Sequence, residues 1–168
     1  MQILSYGALC SNASLQQKSV KKKGVFKKDV TEYVTDGDPT EAALVIAAHK
    51  AGFSKEGLQK QLKKVAEFPF DSTRKMMSVV VQDRQGKKFV LTKGAPDVVL
   101  SQCTYMSMNP RRERMAAAHQ QQVEAVIEQM AGQALRTIAI AYRPLNEGET
   151  CKTAYEAERG LTLLGFKE

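Results

Sequence analysis

The run from Phe68 to Pro96 leaves the chain few ways to fold. Met76–Val81 (MMSVVV) and Lys88–Leu91 (KFVL) are dense in residues that favour strands. Arg84-Gln85-Gly86-Lys87 between them is a turn, with glycine where a positive φ is easily taken. The unit therefore reads as a β-hairpin. The first residues of one strand lie beside the last residues of its antiparallel partner. Phe70, Lys75, Lys93 and Gly94 are thus expected at one end of the sheet. An aromatic face, two cations and a residue with no side chain in one region suit a purine nucleotide: a ring to stack, phosphates to neutralise, and room for close approach.

Around this hairpin the chain reads as α+β, with a mainly antiparallel sheet flanked by helices. Ile3–Ser11 is expected to be a short helix on the sheet, and Asn12–Lys28, polar and lysine-rich, a mobile loop with a short strand at Val25-Phe26. Val30–Val34 adds edge β-structure. Asp38 suits an N-cap and Pro39 the first position of a helix over Thr40–Ala51, closed by Gly52. Ser54 caps a basic helix to about Lys63, and Val65–Phe70 is extended because Pro69 pushes the preceding residue toward β. Ala95–Cys103 reads as a short helix and Tyr105–Asn109 as a connection. A long helix follows over about Arg111–Ala131, carrying Met115, Ala118, Val123, Val126, Ile127 and Met130 on one face. Leu135–Tyr142 is a strand, Asn146–Lys152 a turn-rich insertion, Thr153–Arg159 a short helix and Leu161–Phe166 the last strand.

The 168 residues fit one domain, and 43% hydrophobic with 26% charged residues is ordinary for a globular chain. No run approaches the roughly 18–20 apolar residues of a membrane span, and Ile3–Cys10 is too short for a signal peptide and lacks a basic leader. The cysteines, Cys10, Cys103 and Cys151, are far apart and show no metal-ligand spacing with His49 or His119, so a reduced setting without zinc is expected. There is neither a G-x-G-x-x-G after a strand nor a G-x-x-x-x-G-K-[ST], so a nucleotide would be held without a glycine-rich phosphate cradle. The net charge of +7 is concentrated in Lys18, Lys21–Lys23 and Lys27-Lys28. It leaves open a basic nucleic-acid-binding module, although no interleaved aromatic and basic strand motif supports one.

Four ordered stretches carry a more specific resemblance: Gly37-Asp38-Pro39-Thr40-Glu41-Ala42-Ala43-Leu44, Phe68-Pro69-Phe70-Asp71-Ser72-Thr73-Arg74-Lys75-Met76, Lys93-Gly94-Ala95-Pro96-Asp97, and the run from Ala134 to Arg143. Together they resemble the nucleotide-binding domain of P-type cation-transporting ATPases, with wording closest to the calcium-pump branch of bacteria. The resemblance implies a cytoplasmic domain of a plasma-membrane pump. The phosphorylation, actuator and transmembrane domains would lie outside the 168 residues, and the last strand would continue beyond Glu168. Asp-Lys-Thr-Gly-Thr, the family's phosphorylation motif, does not occur here. The resemblance also implies ATP, taken as Mg-ATP with the metal held mainly by the phosphorylation domain. The partners would be the pump's own domains and not nucleic acid. The domain would be monomeric and unable to hydrolyse ATP alone.

Carried onto this chain, the family pattern makes Phe70 the platform for the purine and Glu41 the acceptor for the adenine amino group. Lys75 and Lys93 line the pocket, Gly94 leaves room for the base, and Arg136 meets the phosphates. Thr40, Asp71, Ser72, Arg74 and Ala95 are secondary candidates. Each also has a plainer reading. Phe70 could be core, Glu41 a helix-N-terminal acid, Lys75 and Arg136 solvated strand-end cations, and Gly94 an ordinary turn residue. Asp71 and Ser72 could simply shape a bend, Arg74 should face away from Lys75 by strand alternation, and the pocket itself could be vestigial in an interaction module.

Overall fold

The computed structural model describes residues 2–21, 29–108, 111–133 and 136–167, with side chains 19–32 left aside. A seven-stranded sheet forms its middle layer. In chain order its strands are β3 (Lys63–Asp71), β4 (Met76–Gln82), β5 (Lys88–Gly94), β6 (Cys103–Ser107), β7 (Arg112–Arg114), β8 (Ile138–Pro144) and β9 (Leu161–Lys167). Their spatial order is β3-β4-β5-β8-β9-β6-β7, antiparallel throughout except for the β6–β9 pair. This is the expected α+β class. A separate two-stranded arm, β1 (Ser14–Lys21) and β2 (Asp29–Asp36), stands beside it.

Strand alternation explains the layers. On one face Met77, Val79, Val81 and Leu91 pack against Ala8 and Leu9 of α1 (Gln2–Leu9), Ala42, Val45 and Ala48 of α2 (Pro39–Lys50) and Leu58 of α3 (Lys55–Gln61). On the other face Met76, Ala139, Ala141 and Leu163 meet Val99 and Leu100 of α4 (Pro96–Ser101), with Val123 and Ile127 of α5 (Ala117–Gly132) outside them. Farther along that sheet, Val80 and Val90 enclose Ala157 of α6 (Ala154–Ala157). A strand covered on both faces reads as a continuous apolar run, as Met76–Val81 does.

The central hairpin forms in the expected register, Met76↔Gly94 through Gln82↔Lys88, and Gly86 takes a φ of 84° in its turn. Asp38 and Ser54 cap α2 and α3 as their chemistry suggested. Four expectations are corrected. Ser14–Lys21 is a strand and not part of a loop, because every residue from Ser14 to Lys21 pairs with the β-branched and aromatic Asp29–Asp36 segment. Partner context here overrides a polar sequence of low strand propensity. The proposed strand at Val25-Phe26 lies outside the described residues. Tyr105–Ser107 belongs to β6 and is not a connection: it runs parallel to β9 and antiparallel to β7. The long helix starts at Ala117, since Arg112–Arg114 pairs with Ser107–Tyr105, and the Arg112 guanidinium lies 4.7 Å over the Tyr105 ring. Arg136 precedes β8 instead of beginning it.

Candidate functional site

The hairpin register places the start of β4 beside the end of β5, and the pairs Lys93↔Ile140 and Gly94↔Ala139 add the start of β8. The N-terminal turn of α2 crosses this end of the sheet. A cleft of about 480 Å³ opens there, lined by Thr40, Glu41, Phe70, Lys75, Lys93, Gly94, Ala95 and Arg136, together with Asp38, Pro96, Thr137 and Ile138. The six principal candidates, drawn from four separate stretches, thus share one cavity, and so do the secondary candidates Thr40 and Ala95.

Phe70 is 60% exposed. A phenylalanine placed for packing would be buried; this one presents a face to the cleft. Glu41 and Lys93 form the inner wall. Lys93 is only 6% exposed, and its Nζ lies 2.5 Å from Glu41 Oε1 and 3.3 Å from Ser11 Oγ. The second carboxylate oxygen of Glu41 accepts the amides of Asn12 at 2.7 Å and Ala13 at 3.1 Å. An ionised carboxylate offers about four acceptor positions, so these three donors leave one free. Asp38, at the cleft rim, accepts from the Thr40 and Glu41 amides at 2.8 and 3.3 Å, and those amides hold its carboxyl below the usual range.

Lys75 has a φ of 53°, the left-handed region, which for a side-chain-bearing residue costs about 1–2 kcal/mol. The turn before it explains the conformation. Asp71 Oδ1 accepts from the Arg74 and Thr73 amides at 2.8 and 2.9 Å, and its carbonyl accepts from the Lys75 amide at 2.6 Å. The Lys75 carbonyl in turn accepts from Ala95 N–H at 3.0 Å. A Cβ on Gly94 would lie 2.4 Å from that carbonyl oxygen and 2.8 Å from Met76 Cγ. The absence of a side chain at Gly94 therefore answers first to the neighbouring backbone.

Asp71, Ser72 and Arg74 are not among the cleft-lining residues. Asp71 shapes the bend. Arg74 turns away, but not by strand alternation, since residues 72–75 form the turn before β4; its Nε donates to Glu158 Oε2 at 2.9 Å while its terminal nitrogen donates to the Pro69 carbonyl at 2.9 Å. Glu158, 3% exposed, also accepts from Ser78 Oγ at 2.9 Å, which contacts Thr92 Oγ1 at 2.9 Å. This network ties α6 to the underside of the hairpin. Sequence reasoning missed Pro96, Thr137 and Ile138 as liners and read Asp38 only as a cap, although all four sit in the quoted motifs. Nothing in the spacing could have placed the Asn12 and Ala13 amides on Glu41.

No cysteine offers a ready thiolate. Burial pushes Cys10 and Cys103 up to about 12 and raises Cys151 as well, and all three are free thiols. Among the described residues no group of three or more metal-ligating side chains comes together, and no helix is long and apolar enough to cross a membrane.

Residues 1–166 match the family model described as the P-type ATPase cytoplasmic domain N. The chain belongs to this family. It is 44% identical over 165 residues to a calcium-transporting ATPase of Bacillus subtilis, covering 98% of this chain and 17% of that protein. Against calcium-transporting ATPase 1 of Lactococcus lactis it is 35% identical over 130 residues, 77% of this chain and 15% of the relative. A sodium/potassium exporting P-type ATPase of Schizosaccharomyces pombe is 29% identical over 151 residues, 90% of this chain and 13% of the relative. The N domain described here thus spans a small part of the length of the relatives it matches, and its architecture is the α+β one its motifs announced.

Proposed function

We propose that this N domain binds ATP by the adenine end in the cleft between α2, the β4–β5 hairpin and β8. The observation that carries the reading is the convergence of Glu41, Phe70, Lys75, Lys93, Gly94 and Arg136 on one cavity, with an exposed aromatic face near the buried Lys93. Phe70 stacks on the purine. The remaining acceptor position of Glu41 takes the adenine amino group. A carboxylate is acceptor-only, so guanine, which presents a carbonyl at that position, is disfavoured. Lys75 and Lys93 supply positive charge, and the arginine fork of Arg136 suits phosphate.

In the intact protein this domain carries the γ-phosphate to an aspartate of the phosphorylation domain. Mg²⁺ travels with the nucleotide and is held mainly by that other domain. The parent is then a P-type cation pump of the bacterial plasma membrane, calcium-transporting by its likeness to the Bacillus and Lactococcus pumps, with this domain on the cytoplasmic side. The contribution of the domain is positioning, which turns an encounter of two molecules into an intramolecular step. Alone it binds ATP as a monomer and does not hydrolyse it. Calorimetric titration tests this: ATP should bind more tightly than GTP, and Phe70→Ala should remove about 1–3 kcal/mol of ATP affinity without altering stability. Equal affinity for both nucleotides, or an indifferent Phe70→Ala, would refute it.

A further inference from the structure

We infer that Lys55, which is not among the cleft-lining residues, is a positioning residue for the adenine site, acting through the peptide group between Ser11 and Asn12. The inference rests on the adenine reading of the cleft and adds to it a residue that the four motifs do not contain.

Lys55 sits in the first turn of α3 and is half-buried. Its Nζ donates to the carbonyls of Ser11 and Ala13, each at 2.6 Å. Burial lowers its pKa, while the charge of Glu41 opposes that shift. The linker it holds joins α1 to β1, and Ser11 and Ala13, on either side of the exposed Asn12, are buried at 3% and 0% exposure. The amides of the same linker, Asn12 and Ala13, are the ones that seat Glu41 Oε2. In a trans peptide C=O and N–H point in opposite directions. The Ser11–Asn12 peptide is therefore clamped between an ammonium on its oxygen and a carboxylate on its nitrogen, and both bonds are charge-assisted, the stronger kind. The order is Lys55, peptide, Glu41, Lys93: cation, dipole, anion, cation. Lys93 adds a second hold on the linker through Ser11 Oγ.

Removing Lys55 would leave two part-buried carbonyls without their donor. The linker would turn to recover partners, and Glu41 would lose the seat that aims its last free acceptor position into the cleft. A side chain serving stability alone would lower the melting temperature and leave the choice between bases untouched. A positioning residue changes that choice.

The test is titration of the 168-residue chain with ATP and GTP for wild type, Lys55→Met and Lys55→Arg, below the melting temperature of each. Lys55→Met should weaken ATP about three- to tenfold, the loss of one to two hydrogen bonds' worth of alignment. It should leave GTP nearly unchanged, so that the ATP:GTP preference collapses. Lys55→Arg, which keeps the charge and the donors, should restore most of the preference. Should Lys55→Met not fold, wild-type amide spectra serve instead: the Asn12 and Ala13 resonances, outside the cleft lining, should shift on saturation with adenosine. An unchanged ATP:GTP ratio in Lys55→Met, or linker amides silent to adenosine, would overturn the inference while leaving ATP binding in place. If wild type prefers neither nucleotide, the adenine reading itself falls, and this inference with it.

Discussion

Gly94→Ala separates two explanations of the same glycine. If Gly94 exists to admit the purine, alanine should cost affinity and leave the free protein as stable as before. The structure argues otherwise. The new methyl would stand 2.4 Å from the Lys75 carbonyl oxygen, 2.8 Å from Met76 Cγ and 3.0 Å from Met76 Cα. Two of these three atoms are backbone, and the ends of β4 and β5 would have to part by roughly 1 Å to reach ordinary contact. That movement strains the Ala95 N–H···O=C Lys75 bond, now 3.0 Å, worth about 1 kcal/mol. Overpacking adds about 1–3 kcal/mol, and the smaller entropy of unfolded alanine returns about 0.4–1 kcal/mol. The net loss is about 1–3.5 kcal/mol with no ligand present, or a melting temperature lower by roughly 2–14 °C for a domain of this size. Urea and thermal unfolding of the ligand-free protein measure it. An unchanged unfolding midpoint beside a sharply weakened ATP affinity would refute this reasoning and return Gly94 to the purine.

Other perturbations probe other parts of the account. Glu158→Ala should destabilise by about 2–3 kcal/mol, because it strands Ser78 and Arg74 beneath the hairpin, yet ATP titration should be unchanged since Glu158 does not line the cleft. Lys75→Gly should raise stability by about 0.5–1 kcal/mol by relieving the positive φ and should weaken ATP binding; loss of stability would contradict the strain assigned to that residue. The carboxyls of Asp38, Asp71, Glu67, Glu149 and Glu156 are all held below their ordinary values of 3.8 and 4.5, chiefly by backbone amides and, for Glu67, by the side chains of Lys64 and Asn12. A lowered folded value means stability that is complete above the unfolded value and lost as pH falls through the folded one. Denaturation midpoints should therefore hold steady down to about pH 4.5 and decline below it, and a midpoint rising on acidification would contradict these contacts.

The hairpin was legible because its signals are local: β-branched runs, a glycine turn and a fixed antiparallel register. Once the register is set, Lys75 must meet Lys93 and Gly94, while Phe70 joins them from β3 across the turn at residues 72–75. The caps at Asp38 and Ser54 were legible for the same reason. The β1 strand was not, since Ser14–Lys21 is polar and becomes a strand only by pairing with Asp29–Asp36. Nor was β7, where Arg-Glu-Arg has helical character until β6 offers it an edge. At the site, the residue types could be read, but their prior commitments could not. Glu41 is already shared among Lys93, Asn12 and Ala13, and Gly94 answers to a carbonyl one strand away. Such constraints link residues tens of positions apart and leave no trace in composition or spacing.

The most direct measurement is an amide-resolved NMR titration of the domain with ATP, repeated with GTP and with Phe70→Ala. Amides around Glu41, Phe70–Lys75, Lys93–Gly94 and Arg136 should shift together, with ATP favoured over GTP and the Phe70→Ala protein silent at the same concentrations. Shifts confined to the lysine-rich Lys18–Lys28 stretch, without preference between bases and abolished by moderate salt, would contradict it and make the charge run the binding surface.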